Sequence, residues 1–493
     1  MSSRRLTEST HFLPCFTVLQ SPIANVTKAS PSSTANNKRA WLAIGVWSTF
    51  LALCLIIRGG RFLIPLFPLS SVAVGLFLYF RTPVLYVGYT WWLFFVGSLI
   101  RRIIDQQSGY VTPSRWGTTA LLVASISLIT LVRYLPKISR HGGMPFLLSL
   151  LGVTYGCLVG LVTGKLNLQF IIGAMGWVIP IVFSFHLFMN WRYYPQYRQV
   201  IQRSFVWGAL VMGCYGIFQY CVAPEWDRFY LNNLTATSFG SPFPFEIRVF
   251  STQDSPQSFG AIMVASLILL LSSDGAIKFP ASGVGYVAFL LSSARSGWLG
   301  WVAALLALLP SLKLKLQLRL ILTILLMAML VVPLANVEPF AEPIQQRFES
   351  FSEGEDDVSL DARKAGYQDL LGIALTEFVG GGIGGKIDRK LPKSSIGEAD
   401  SGILPLLFSL GWFGALPYLS GIFLMLYRLF TTQESSQDSF ASSSRAIVLG
   451  SLAQVGLNNI FAGDMAMVLW GFLGIGMAAS QYYSYQKLFR ISQ

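Results

Sequence analysis

The chain is long, apolar and basic. Of its 493 residues, 53% are hydrophobic and only 12% are charged, a composition that excludes an ordinary soluble domain. Many apolar stretches approach the ~20 residues that a helix needs to cross a bilayer, so the chain is predicted to be an integral membrane protein. The formal net charge of +13 comes from basic residues spread over short loops, and this distribution does not predict a nucleic-acid partner.

The apolar stretches predict an all-α fold, a polytopic membrane bundle of about 12–14 transmembrane helices. Some stretches are short, so the count is a range. The predicted spans are 40–57, 62–80, 83–100, 117–135, 145–163, 168–189, 204–222, 257–273, 280–293, 296–310, 317–334, 401–427, 446–462 and 465–482.

The segments outside the spans divide the chain into five parts. Residues 1–39 are rich in Ser, Thr and Asn and lack the apolar core of a signal peptide, so a disordered cytoplasmic tail is expected. The five cysteines show no metal-ligand spacing. The predicted parts are the tail 1–39, N-terminal transmembrane helices 40–222, a transmembrane core 223–334, an extracytoplasmic loop 335–400 and C-terminal transmembrane helices 401–493.

The distribution of basic residues predicts the orientation. With a cytoplasmic N-terminus and fourteen spans, 20 of the 36 Lys and Arg residues fall in cytoplasmic segments and seven in short outer loops. Segments 223–256 and 335–400 then both face the extracytoplasmic side, and both termini are cytoplasmic. One loop disagrees, because Arg101, Arg102 and Arg115 lie on the predicted outer side.

Four charged residues flank long apolar spans on this predicted outer face. They are Arg248, Arg295, Arg363 and Asp400. A charge at hydrocarbon depth costs at least about 2.5 kcal/mol, so residues of this kind are candidates for function.

The segment before the span at 257 combines aromatic residues with one arginine. Trp226 and Tyr230 offer flat apolar faces that suit sugar rings or lipid headgroups, and an interfacial aromatic belt is the alternative. The planar guanidinium of Arg248 fits phosphate. The alternative for Arg248 is a salt bridge to Glu246 or Asp254.

Arg295 interrupts two apolar segments at a short turn. Ser296 is predicted to cap the following helix, whose first amides together with Arg295 would form an anion site. An arginine that extends to the membrane interface is the alternative.

The long segment 335–400 carries the other candidates. A short helix is predicted from Asp361 to Glu377, with Arg363 and Tyr367 on one face. The acidic run at 353–357 of this segment fits no calcium-binding loop. The glycine run 380–385 lacks the context of a phosphate loop and is predicted to be a flexible turn. Asp400 stands at the start of a long span, where it could act as a base or cap the helix.

Five motifs in this order resemble the O-antigen ligase and Wzy-type O-antigen polymerase superfamily, over residues of about 200–480. They are Arg-Val-Phe followed by Ser-Pro-Gln (248–257), Ser-Ser-Ala-Arg-Ser-Gly-Trp (292–298), Asp-Ala-Arg-Lys-Ala-Gly-Tyr (361–367), Gly-Gly-Gly-Ile-Gly (380–384), and Asp-Ser-Gly-Ile-Leu followed by Leu-Gly-Trp-Phe-Gly (400–414). Where the ligases usually have His-Asn, this chain has Asp400-Ser401.

The resemblance implies a fold of the GT-C type of membrane-embedded glycosyltransferase and a bacterial inner-membrane location. It implies a lipid-linked (undecaprenyl-diphosphate) oligosaccharide donor, a glycan or lipid acceptor, no metal and no cofactor. Arg248, Arg295 and Arg363 would bind the diphosphate, and Asp400 would be catalytic. Trp226, Tyr230 and Tyr367 are candidate contacts for sugar or lipid.

Two function classes therefore compete, and a third possibility is a non-catalytic membrane scaffold, which would leave the four charges without a shared role. The leading hypothesis is an enzyme that ligates or polymerises a cell-surface polysaccharide at the extracytoplasmic face. The alternative is a multipass transporter or lipid-sugar flippase, which should show internal repeats and charges in broken helices at mid-membrane. The sequence predicts no oligomeric state.

Overall fold

The computed structural model confirms a helical membrane protein. The described residues form no β-strand, and their only isolated bridge joins Gly240 and Ile247. The described ranges are 31–110, 119–234, 239–311, 317–318, 371–372, 375–376, 378–384, 401–432 and 438–491.

Fifteen α-helices are named here in chain order within these ranges. They are α1 Pro31–Ile56, α2 Gly60–Arg81, α3 Pro83–Ser108, α4 Thr119–Ala124, α5 Leu128–Tyr134, α6 Met144–Val162, α7 Leu168–Met189, α8 Tyr194–Val222, α9 Glu225–Asn233, α10 Pro256–Leu271, α11 Lys278–Leu291, α12 Arg295–Leu308, α13 Ile403–Thr431, α14 Ser439–Leu452 and α15 Gly463–Ile491.

The described part contains nine helices that are long and apolar enough to cross a membrane. They are α1, α2, α3, the continuous helical stretch of α4 and α5, α6, α7, α8, α13 and α15. Three shorter apolar helices, α10, α11 and α12, accompany them.

Three predicted boundaries differ from the structure. Helix α1 begins at Pro31 rather than at residue 40, and α8 begins at Tyr194 rather than at residue 204. The span predicted at 446–462 is wrong, because α14 ends at Leu452 and turns follow it as far as Ala462. The predicted span 317–334 lies outside the described residues except for 317–318.

Glycines let several helix pairs approach to backbone contact. A Cβ at Gly152 in α6 would collide with the Gly414 carbonyl oxygen in α13, and one at Gly450 in α14 would collide with the Gly300 carbonyl in α12. Membrane helices associate through close packing of small residues, since lipid tails are as apolar as the side chains. These contacts therefore fix which helices are neighbours.

The glycine run at 380–384 lies in one of these close contacts. Gly411 interrupts α13 with a φ of 58°, and the Gly381 amide donates to the Phe408 carbonyl there at 2.6 Å. The Ile383 amide donates to the Gly156 carbonyl of α6 at 3.0 Å, and Ile383 is buried. The run is a turn, as predicted, but its described part is packed between α6 and α13 rather than free in solvent.

Helix α3 connects this bundle to the region of the candidate site. Trp91 and Phe95 are buried in an aromatic group with Phe205 of α8 and Phe472 of α15. Close to this group, the Phe95 carbonyl accepts a hydrogen bond from Thr252. The middle of α3 is thus tied to the segment that carries Arg248.

Candidate functional site

Arg248 lies against the turn between α11 and α12. Its Nε donates to the Ser292 carbonyl at 3.4 Å, and its Nη2 donates to the Ser293 carbonyl at 3.1 Å. Its backbone amide donates to the Phe239 carbonyl at 3.0 Å. The side chain is partly exposed, and the contacts with the two serine carbonyls orient its guanidinium.

The turn at 292–294 has an unusual backbone. Ser293 has a φ of 49°, a left-handed backbone conformation that residues other than glycine rarely adopt. The strain is balanced locally, because the Ser292 hydroxyl donates to the Phe289 carbonyl at 2.6 Å and its oxygen accepts from the Ala294 amide at 3.4 Å. Strained residues of this kind cluster at functional sites.

Arg295 is the first residue of α12 and is partly exposed. The prediction that Ser296 caps this helix is wrong, because the helix has already begun and the capping position belongs to Ala294. The Ser296 hydroxyl instead accepts a hydrogen bond from Asn458 Nδ2 at 2.8 Å. This bond brings the turn at 453–462 beside the start of α12.

The start of α13 reaches the same turn. The Gly402 amide donates to the Val455 carbonyl at 2.8 Å, and the buried Ser401 hydroxyl oxygen accepts from the Leu404 amide at 3.2 Å. Ser401 therefore satisfies one of the first amides of α13, which is the function that the capping alternative assigned to Asp400. Asp400, like Arg363 and Tyr367, lies outside the described residues.

Three segments thus meet at one end of the bundle, which we call the site end. They are the loop 239–255, the turn 292–295 and the turn 453–462. Arg248 lies against the turn before Arg295. The convergence of Arg248, Arg295 and Arg363 on one anion stays a prediction.

The arginines that disagreed with the predicted orientation are paired at this end. Arg102 forms an ion pair with Asp227 of α9 at 2.7 Å, and both side chains are buried. Arg101 pairs with Asp105 one helical turn away, at 3.1 Å. Two of the three arginines that disagree with the predicted orientation are therefore paired with acids inside the protein.

Asp227 is surrounded by donors that stabilise its charge. Tyr215 Oη and Gln219 Nε2 each donate to Oδ2 at 2.8 Å. Burial raises the pKa of the Asp227 carboxyl, and Arg102, Gln219 and Tyr215 oppose that rise. The pairing of Asp227 with Arg102 was not predicted from the sequence. The available signal was the pair of adjacent arginines on the predicted outer side, which indicates a buried acidic partner.

The two described aromatic candidates lie beside this ion pair. Trp226 is partly exposed and donates through Nε1 to Tyr215 Oη at 2.6 Å. Tyr230 is only 7% exposed, and its hydroxyl donates to the Asp254 carbonyl at 2.8 Å. Contact with sugar or lipid stays a prediction for both, and the structure adds a packing role for Tyr230.

The structure also brings together two carboxylates that the sequence did not connect. Asp254 interacts electrostatically with Asp464, the second residue of α15. Oδ1 of Asp254 is buried and has no hydrogen-bond partner in the described part of the chain. The site end therefore holds carboxylates that could accept a proton as well as arginines that could bind an anion.

Fold and site together define a class of protein: a polytopic helical membrane protein whose arginines and carboxylates meet at one end of the bundle. Residues 281–419 match the family model described as O-antigen ligase (Wzy_C). This match is consistent with the superfamily that the motifs resemble, and it supports a role in cell-surface polysaccharide assembly. None of the curated proteins matches the chain.

The match includes the turn before Arg295, the packed glycine run and the start of α13. It begins after Arg248 and the Arg102–Asp227 ion pair. The structure therefore joins residues outside the matched domain to those within it.

We predict that the site end faces the extracytoplasmic side, as the charge distribution requires. In a chain with all five cysteines replaced, a cysteine at the exposed Asn233 should react with a membrane-impermeant maleimide in intact spheroplasts. A cysteine at Lys487, near the far end of α15, should react only after permeabilisation. Position 355 is expected to behave like position 233, and the reverse pattern would overturn the orientation.

Proposed function

We propose that the protein is a membrane glycosyltransferase of the O-antigen ligase or polymerase type. It would take a lipid-linked, undecaprenyl-diphosphate oligosaccharide at the extracytoplasmic face of the bacterial inner membrane, with both termini in the cytoplasm. It would transfer the glycan to another glycan or to a lipid, without a metal, for ligation or polymerisation of a cell-surface polysaccharide.

The observation that carries this proposal is the position of Arg248 on the turn that leads into Arg295. Two arginines and the first turn of α12 thereby lie together at one end of the bundle, where a lipid headgroup could reach them. A helix N-terminus favours an anion, and a guanidinium binds phosphate oxygens with directed hydrogen bonds. A lipid diphosphate fits this combination of charge and location, and Arg363 would add a third cation.

The reaction needs stabilisation of a leaving group. The acceptor hydroxyl oxygen would attack the anomeric carbon of the donor sugar, and the bond from that carbon to the diphosphate oxygen would break. Its electron pair would stay on the lipid diphosphate, whose charge Arg248, Arg295 and Arg363 would stabilise. The hydroxyl proton would pass to a carboxylate acting as general base.

Asp400 is our proposed base. It immediately precedes Ser401, whose hydroxyl oxygen already accepts a hydrogen bond from an amide of α13. A capping role for Asp400 is therefore not needed at that amide. Trp226, Tyr230 and Tyr367 are proposed to contact the sugar or the lipid.

We predict that Arg248→Gln reduces glycan transfer by at least about 10²-fold, because loss of one donor to a developing anion has that effect in other enzymes. Arg228→Gln, which removes an exposed charge from α9 at the same end, is the matched control and should retain activity. The measurement is the banding of surface polysaccharide and the pool of lipid-linked glycan in a deletion strain that carries each variant. Normal polysaccharide in the Arg248 variant would contradict the proposal.

Asp400→Asn separates catalysis from capping, because Asn caps a helix about as well as Asp but cannot accept the proton. The variant should express and fold normally and should lose about 10²-fold or more in transfer rate. Full activity would exclude Asp400 as the base. The base would then be sought at Glu398 or Asp464, the latter beside Asp254 in the structure.

A further inference from the structure

The loop that carries Arg248 needs external support. Val249, Phe250, Ser251, Thr252 and Gln253 are all buried, yet they form turns and extended chain rather than a helix or a strand. Ser251 has a φ of 52°, a conformation that costs energy for a residue with a side chain. Buried backbone of this kind persists only if other groups satisfy its amides and carbonyls.

Arg102 supplies part of that support. While its Nη1 pairs with Asp227, its Nη2 donates to the Ser251 carbonyl. Its guanidinium also lies over the ring of Phe250, 4.7 Å from the ring centroid, and 5.8 Å from that of Tyr230. A single side chain thus contacts the ion-pair partner, the strained peptide and the neighbouring aromatic rings.

Gln219 supplies a further part. It is fully buried in α8, and its Oε1 accepts hydrogen bonds from the amides of Phe250 at 3.0 Å and Ser251 at 2.8 Å. Its Nε2 donates to Asp227 at 2.8 Å, so Gln219 links the loop to the same carboxylate that binds Arg102.

The supported residues are directly joined to Arg248. Phe250 is two residues away, and the intervening Val249 amide donates to the Leu291 carbonyl at 3.2 Å, next to the serine carbonyls that hold the guanidinium. Displacement of Phe250 and Ser251 would therefore move Arg248 away from the turn at 292–294.

A buried ion pair is a weak source of stability, because desolvation of both charges offsets most of their attraction. This pair matters here because Arg102 and Asp227 each also form directed hydrogen bonds with other groups, and these bonds fix the geometry of the loop. We propose that Arg102, Asp227 and Gln219, which we call the Arg102 network, are positioning residues that hold Arg248 at the anion site. This inference rests on the proposed function, in which Arg248 binds the donor diphosphate.

The test uses the full chain, purified in lipid nanodiscs. Gln219→Met is the first variant, because it removes the acceptor of two amides and leaves both charges of the ion pair in place. Arg102→Lys is the second, since a lysine can pair with Asp227 but cannot also reach the Ser251 carbonyl with a planar fork. Arg101→Lys is the matched control, one residue earlier in α3, where only the pair with Asp105 is affected.

Two quantities are measured in each variant. Hydrogen exchange, followed on peptides spanning 245–258, reports the protection of the Phe250 and Ser251 amides. The dissociation constant of farnesyl diphosphate, used as the lipid diphosphate probe, reports the anion site. We expect exchange at these amides to accelerate by about tenfold or more in Gln219→Met, the scale set by loss of a buried hydrogen bond.

We expect the affinity for farnesyl diphosphate to fall in Gln219→Met and Arg102→Lys in the same direction as in Arg248→Gln, while Arg101→Lys matches the unmodified chain. Unchanged exchange in Gln219→Met would overturn the positioning role. So would faster exchange with unchanged affinity, provided that Arg248→Gln binds more weakly. Equal affinity in the unmodified chain and Arg248→Gln would instead overturn the proposed function, and with it the inference.

Discussion

The buried ion pair between Arg102 and Asp227 is the interaction on which the site end depends. It joins the end of α3 to the short helix α9, and Gln219 of α8 extends the contact to the loop 249–253. Removal of one partner from a buried pair costs about 3–5 kcal/mol, because the other charge is left without compensation. The geometry of the loop is therefore coupled to the packing of α3, α8 and α9.

Close packing of the apolar helices also positions the charged residues at the site end. Helices in lipid associate through shape, and here glycines set α6 against α13 and α12 against α14 at backbone distance. The starts of α12 and α13 both contact the turn 453–462, and Arg248 lies against the turn before α12. The Arg248 guanidinium is oriented by the carbonyls of Ser292 and Ser293, whereas Arg102 forms a buried ion pair with Asp227.

Sequence patterns predicted the class of fold and part of the site. The length of the apolar stretches indicated the long spans, because the thickness of the membrane sets that length directly. Arg248 and Arg295 were identified as candidates because each is an isolated charge beside such a span. The Arg102–Asp227 pair was missed, since its members are far apart in the chain and their pairing depends on how α3 packs against α9. The breaks in α13 and after α14 were missed because hydropathy averages over a window and does not respond to a single glycine or a turn.

As a glycosyltransferase, the protein would break the bond between the donor sugar and the lipid diphosphate and form a glycosidic bond to the acceptor. Proteoliposomes that contain the purified chain and a radiolabelled lipid-linked oligosaccharide allow both the glycan product and the released lipid diphosphate to be counted. We expect one molecule of lipid diphosphate to be released for each glycosidic bond formed, in the presence of a suitable acceptor glycan or lipid. Movement of the intact lipid-linked oligosaccharide across the bilayer, with no release of lipid diphosphate, would contradict it and would identify a transporter.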